Sequence, residues 1–359
     1  MGTALKDFQI KESYTRLIEK ALFSYFYEGI FKPLFEIMQI PLKAKNAEED
    51  VITQALLKGT IVYEQNGFRA IDKFTNAQSK LLQKWGAVWD KWTRSWKLPY
   101  SKLPQHILVA LAANRNLTQQ KVNHIQKFLK ELQANWETAV QTMTFHDEVM
   151  TVLDDAGNEI QKVFKRVNVI TPELSEEDKQ EISRTYTNNM NYYIKSFGDE
   201  RIPLMRQKVQ ELVLNGNRFS EVEKMLNREF NIWGSKAKFL AQNETNIMLA
   251  ELKKVEYQKQ GFDMFIWRTI TDGRERELHR HLNGRIFRYD DPPIIDLKTG
   301  QRGLPGQTYN CRCEAVPYTE NTPFKHTFID ENGKEREVID YRTSKREMDI
   351  WAKRYNYSK

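Results

Sequence analysis

Two stretches decide how this chain reads: Trp267 to Gly284, W-R-T-I-T-D-G-R-E-R-E-L-H-R-H-L-N-G, and Gly306 to Cys313, G-Q-T-Y-N-C-R-C. Both cysteines of the protein lie in the second stretch, and His279 and His281, two of its six histidines, lie in the first. Asp, Arg, His and Cys cluster here in a chain otherwise rich in helix formers. That pattern points to a small module with a polar core, placed after a long helical body. Asp272, Arg274, Arg276 and His279 fall between a strand and a helix and crowd into about a turn and a half. Asp272 is suited to cap the turn that follows it, and a nearby arginine can meet its carboxylate in a bidentate pair.

Three chemistries compete for this cluster. One is a buried polar network that fixes a small domain. Another is a metal centre, since His279, His281, Cys311 and Cys313 give H-x-H…C-x-C, four soft donors. That spacing is less favourable than C-x-x-C or H-x3-5-H, which bring two side chains onto one ion. The remaining one is a thiol nucleophile, for which Arg312 beside the cysteines would lower a pKa; no third orienting residue accompanies it. No phosphate-binding loop, G-x-S-x-G or H-E-x-x-H occurs.

Outward from this core, the period changes at Gly261. Phe262 to Ile270 reads as a strand, and Asn283-Gly284 as a tight turn into a strand from Arg285 to Tyr289. Asn332-Gly333 marks a hairpin between 327–330 and 335–339, and a charged helix over 344–355 closes the chain. On the amino-terminal side a helix runs from a Ser235 cap to Gly261 as its C′ residue. Ser220 to Glu223 opens a short helix ending near Phe230. Ser175 to Asp178 opens another to about Lys195, and Asn215-Gly216 is a turn. Asp154, Asp155 and Gly157 suggest a turn between β-branched segments (149–153 and 163–170), so 145–171 reads as a boundary. The spacing of Val122, Ile125, Leu129, Leu132, Trp136 and Val140 predicts a helix over 118–143 with Thr118 as N-cap and His124 beside its stripe.

Trp85, Trp89, Trp92 and Trp96 recur at steps of four, three and four, one stripe on an α-helix over 76–97. Such a stripe either packs on the core or anchors a partner. Residues 5–40 read as an amphipathic aromatic helix, broken by Gly29 and Pro33. Its aromatic set calls for burial, on the body or on a partner.

Composition sets limits. Charged residues are 29% of the 359 and apolar ones 40%, which suits a surface-rich helical protein. The net charge of +7 has no run of five or six like charges, so it permits nucleic-acid contact without demanding it. A C-x-C pair is too strained to bridge itself, which argues for a reducing compartment. A secretory leader, a myristoylation pattern and a bilayer-spanning run are not expected.

At these residues the chain resembles the phage head morphogenesis family, the Mu F-like minor head proteins. Their carboxyl-terminal module carries a Trp, then D-x-R-x-R-x-x-H-x-x-L-x-G, then G-x-x-x-N-C-R-C. Here those positions are Trp267, Asp272, Arg274, Arg276, His279, Leu282 and Gly284, then Gly306, Asn310, Cys311, Arg312 and Cys313. The family's R-T-E-T element corresponds to Asn243-Glu244-Thr245, without the arginine. Some relatives carry a set resembling a zinc site, C-x-x-C in the first element and a histidine before C-R-C. This chain has Arg276 and Thr308 at two of those positions, so only His279, Cys311 and Cys313 remain as metal donors and zinc is disfavoured.

The resemblance implies a mainly α protein, an elongated helical amino-terminal and middle region with a small α+β carboxyl-terminal module. The expected division is 1–150 for portal or capsid docking, 165–318 for the Mu F-like domain and 319–359 for a hairpin and helix tail. It implies a minor capsid protein inside the phage head, assembled in the host cytoplasm and associated with the portal. Its role would be head assembly and DNA packaging or ejection, by binding and not by catalysis. Expected partners are the portal protein, the major capsid or scaffolding protein and double-stranded DNA, with no membrane. Rival readings are a toxin-like or metal-dependent enzyme carrying such a module, and a generic helical DNA-binding protein.

Overall fold

The amino-terminal aromatic run folds as α1 (Glu12–Phe26), a π-helical turn (Tyr27–Phe31) and α2 (Lys32–Gln39). The structure is a computed structural model and describes residues 11–39, 60–71, 73–165, 173–214, 219–320, 327–330 and 332–357. Gly29 and Pro33 do not break this helix in two. Lys32 N–H reaches back to the Tyr27 carbonyl, and the widened turn absorbs one extra residue. Pro33, which has no N–H to give, follows directly after it. Phe26, Ile30, Phe31 and Leu34 are fully buried, so this set is core.

Residues 76–97 are not one helix, which corrects the tryptophan-stripe reading. A four-stranded antiparallel sheet stands there, ordered β1 (Thr60–Glu64), β2 (Gly67–Ile71), β4 (Ser95–Pro99), β3 (Val88–Asp90), with α3 (Asn76–Lys84) between β2 and β3. Trp85 caps the end of α3, Trp89 and Trp96 face each other across β3 and β4, and Trp92 sits in the turn between them. The Asp90 carboxylate accepts from Trp92 and Thr93 N–H and competes with helix formation at this point. The sheet packs Phe68, Ala70, Trp96 and Leu98 against Leu82, Ile107 and Leu111.

Four long helices follow: α4 (Gln105–Gln141), α5 (His146–Lys165), α6 (Glu176–Leu214) and α7 (Phe219–Lys259). Helix α4 starts well before Thr118, which lies inside it, and His124 is exposed. The turn expected at Asp154, Asp155 and Gly157 is the middle of α5. Val149, Val152, Leu153, Ala156, Ile160 and Phe164 form its buried stripe. Gly157 belongs to the same face, and a Cβ there would lie 3.7 Å from the Glu256 carboxylate on α7. The box at Ser175 is present: its hydroxyl accepts from Asp178 N–H at 3.2 Å and Asp178 accepts from Ser175 N–H at 3.2 Å. Helix α6 continues past Lys195 and through Pro203. The two helices expected over 220–261 are one; Ser235 is internal to α7, and Gly261 ends it at φ +80. The Asn215-Gly216 turn lies outside the described residues.

The chain divides into two compact units, each discontinuous in sequence. One comprises Met1–Phe23, Met143–Tyr193 and Ser235–Lys359, the other Ser24–Thr142 and Ile194–Gly234. The second unit centres on buried Trp233, whose ring meets Phe26, Phe31, Trp136 and Phe197 at centroid distances of 4.8, 6.1, 5.6 and 4.9 Å. Each such pair adds about 0.5–1.5 kcal/mol beyond area burial.

In the first unit, the carboxyl-terminal part holds β5 (Met264–Arg268), α8 (Glu277–Leu282), β6 (Ile286–Arg288), β7 (Ile294–Asp296), β8 (Gln301–Arg302) and β9 (Glu314–Tyr318). Then come β10 (Thr327–Ile329), β11 (Glu335–Glu337) and α9 (Tyr341–Tyr357). Strands β6, β5 and β9 form an antiparallel sheet in that order, while β7 with β8 and β10 with β11 form two ribbons. The architecture is mainly α with a small α+β carboxyl-terminal module, as expected.

Candidate functional site

Strand β5 delivers Trp267 and Thr269 to one side of a knot, and the segment leading into β9 delivers Cys311 and Cys313 to the other. Trp267 is fully buried and its indole N–H donates to Thr269 Oγ1 at 3.2 Å. Thr269 in turn donates to the His279 carbonyl at 2.9 Å, and its N–H donates to Asn283 Oδ1 at 3.0 Å. This threonine ties strand, helix and turn together, yet it carries no motif signal; a polar β-branched residue two positions after the Trp was the available hint. Leu278 and Leu282 bury the inner face of α8. Gly284 sits at φ +75, where an added Cβ would lie 2.1 Å from the Phe328 ring, so both backbone and space require glycine.

His279 is buried between the sulfurs, with Nδ1 3.5 Å from Cys311 Sγ and 3.5 Å from Cys313 Sγ. Gly306 N–H points at Cys311 Sγ from 3.4 Å. The Cys313 S–H and the imidazole hold the Cys311 thiol well below its ordinary range, while Cys311 and burial push Cys313 up. The two sulfurs thus sit in opposed electrostatic settings around one imidazole.

Asp272 closes the outer side. Arg312 donates to it through Nη1 at 2.7 Å and Nη2 at 2.8 Å, a bidentate pair across 40 residues of chain. Arg274 adds Nη2 at 2.7 Å and its own N–H at 3.1 Å. These two guanidiniums, Arg312 first, hold the Asp272 carboxyl far below the usual carboxylate range. Arg276 reaches over to Thr308 Oγ1 at 3.0 Å and to the Tyr309 carbonyl. Asn310 takes φ +52, which asparagine tolerates, in the turn where Cys311 N–H returns to the Thr308 carbonyl at 3.0 Å. The asparagine of N-C-R-C is thus a turn residue.

His281 does not join the knot. Residues two apart on a helix point in nearly opposite directions, and its ring lies on Trp351 at 4.7 Å. The four-donor set H-x-H…C-x-C is therefore not assembled. Three donors remain, His279, Cys311 and Cys313, all buried. Their 3.5 Å nitrogen–sulfur edges match three corners of a tetrahedral zinc site, whose bonds of about 2.0 and 2.3 Å imply edges near this length. The rest does not match. Arg276 and Thr308, at the two positions where relatives carry ligands, are bonded to each other. His279 Nε2 is buried without a hydrogen-bond partner among the described residues, whereas a metal-bound histidine normally donates its second N–H. The residues present do not fit a closed four-ligand structural site.

The knot borders two hollows. One, of about 150 Å³, is lined by Thr269, Glu275, Arg276, His279, Cys311 and Cys313 among others. The other, about 950 Å³, is lined by α1, α7 and the loop before β9. Asn243, Glu244 and Thr245 are buried on α7. Asn243 donates to Glu244 Oε1 at 2.8 Å, and burial raises the Glu244 pKa. Tyr309 lies 5.5 Å from the Phe239 ring, which docks the turn on α7. Trp85, Trp89, Trp92 and Trp96 lie far from all this in sequence and belong to the sheet of the other unit.

A helical body that delivers a small α+β knot of Trp, Asp, Arg, His and paired Cys defines the class. Residues 204–316 match the family described as phage Mu protein F like protein. The family is one of phage head morphogenesis. An uncharacterized protein of Haemophilus influenzae (strain KW20 / Rd) is 24% identical over 128 residues, which cover 36% of this chain and 27% of that protein. The chain thus spans about a quarter of that relative's length. No solved structure matches. Among the described residues no helix is long and apolar enough to cross a membrane.

Proposed function

We propose that this protein is a minor head protein of a tailed phage, carried inside the capsid, bound to the portal and acting in head assembly and DNA packaging or ejection. It acts by binding. The observation that carries this reading is the joining of the two motif halves, Asp272 to Arg312 and His279 to Cys311 and Cys313, within the matched module. Arg312 and Arg274 spend their hydrogen bonds on Asp272 and Arg276 spends its own on Thr308 and Tyr309, which suits a scaffold that holds the Thr308–Asn310 turn on α7. Partners on this reading are the portal ring, the major capsid or scaffolding protein and double-stranded DNA. A net charge of +7 is compatible with a phosphate-rich interior. The test is co-sedimentation of the full chain with assembled heads and with a purified portal ring. Absence from both defeats the proposal. An enzymatic role would instead appear as an activity lost on His279→Ala.

A further inference from the structure

The net charge of the chain is concentrated where the fold places the first sheet. The thirty residues from Lys73 to Lys102 hold seven basic side chains, Lys73, Lys80, Lys84, Lys91, Arg94, Lys97 and Lys102, against one acidic residue, Asp90. That net of +6 stands against +7 for the whole chain. In sequence these cations are too dispersed to form a run. The fold puts Lys80 and Lys84 on α3, Lys91 and Arg94 on the β3–β4 turn, Lys97 on β4, and Lys73 and Lys102 in the segments just before α3 and just after β4, and all seven are exposed.

The same hairpin exposes aromatic surface. Trp92 at its tip is 97% exposed, and Trp89 is 42% exposed. The backbone under Trp92 is tied down. Its N–H is bound by Asp90 Oδ1 at 2.9 Å, and Thr93 and Ser95 hydroxyls meet at 2.7 Å behind it. Trp89 is braced edge-on by Trp96, centroids 5.4 Å apart. Lys91 and Arg94 flank the free indole. On the outer sheet face Lys97 of β4 stands opposite Arg69 of β2, two like charges in register. Directly opposed like charges destabilise a sheet, and Asp90 and Glu64 only partly offset them through ion pairs at 2.8 and 2.5 Å.

We propose that the β3–β4 hairpin is a nucleic-acid docking surface, on which Trp92 stacks with an unpaired base while Lys91, Arg94 and Lys97 track the phosphates. Cationic grooves with exposed rings are how single strands are held without sequence choice, because every base offers a π-face. A membrane surface would share the cations, but it would call for an apolar face to bury. Among the described residues of this hairpin only Val88, Trp89 and Trp92 are large exposed apolar side chains, too few for such a face. The inference does not depend on the head-assembly reading, and either can fail alone.

Binding of a labelled oligothymidylate to the full chain, followed by anisotropy across a salt series, tests it. Wild type binds with affinity that falls linearly on a log–log salt plot, at about −0.7 per phosphate contact. Trp92→Ala weakens binding by roughly 5- to 100-fold, the range for loss of one stacked base, with the salt slope unchanged. Lys91→Gln with Arg94→Gln makes the slope shallower. Thermal unfolding of each variant matches wild type, since these side chains are exposed. Three results overturn the proposal: Trp92→Ala binding as wild type does, duplex and single strand binding alike whatever stands at 92, or capture by vesicles of phosphatidylcholine and phosphatidylglycerol with none by the oligonucleotide.

Discussion

Arg312 and Asp272 meet through two nearly equal hydrogen bonds, 2.7 and 2.8 Å, although 40 residues separate them. The pair joins the two motif halves at the surface, while His279 joins them to the cysteines inside. Asp272→Asn keeps the shape and removes the charge, so it lowers the melting temperature of the carboxyl-terminal module near neutral pH. Asp272 has a folded pKa depressed by Arg312 and Arg274. Its contribution is therefore present above the unfolded value of about 3.9 and is lost as pH falls through the folded value. Melting curves of wild type and variant between pH 7 and pH 2 should converge at the acid end. A gap that stays constant over that range would contradict this.

Cys311→Ser replaces a buried sulfur with a smaller hydroxyl and takes away one of the two sulfur partners of His279 Nδ1 and the partner of Gly306 N–H. The expected loss is about 1–3 kcal/mol of module stability, the usual penalty for an unsatisfied buried polar group. Urea unfolding followed by hydrogen exchange of the peptides that span β5 and β9 reads it directly. Unchanged unfolding would show that the sulfur pair is decorative.

Metal content follows from the Arg276–Thr308 contact. Wild type should purify with far less than one zinc per chain, and chelators should leave its melting temperature unchanged. Arg276→Cys combined with Thr308→His should take up one zinc and melt higher with it. Elemental analysis and the visible spectrum of the cobalt form measure both. Stoichiometric zinc in wild type would refute the argument that these residues do not fit.

Glu256 is fully buried, with neither carboxylate oxygen hydrogen-bonded among the described residues. Burial raises its pKa from 4.5 to about 7, with Asp178 adding to the rise and Lys259 and Lys179 opposing it. The folded state therefore binds more protons than the unfolded one between those values. Stability is greatest at low pH, declines as pH climbs through 7, and is flat beyond. Glu256→Gln should remove this decline, adding roughly 3 kcal/mol above pH 8 and little at pH 4.5. Parallel Tm profiles for the two proteins would sink the assignment.

The knot was legible because its chemistry is dense. An Asp, three Arg, a His and two Cys leave few arrangements that satisfy all of them, and strand β5 and the Asn283-Gly284 turn follow from local rules. The tryptophan stripe was misread because steps of four, three and four suit a helix, while the Asp90 turn that overrides them is a single side-chain choice. The reading of α5 failed at Gly157, which sits mid-helix on the buried stripe and is not a turn residue. Ser235 resembles a cap in sequence, but the backbone around it stays helical, so α7 continues through it. Thr269 was invisible because its role arises only when His279, Asn283 and Cys313 converge on it from other parts of the chain.

The loop-borne half of the knot lies downstream of everything it completes. A ribosome that has released Asp272 and His279 has yet to make Arg312 and the sulfurs, so during synthesis the first half waits with an exposed acid and an unmatched imidazole. Closure of the module is thus a late event in the life of the nascent chain. Premature termination before Cys313 yields a helical body whose carboxyl-terminal strand β5 lacks its β9 neighbour, an open edge for quality control to recognise.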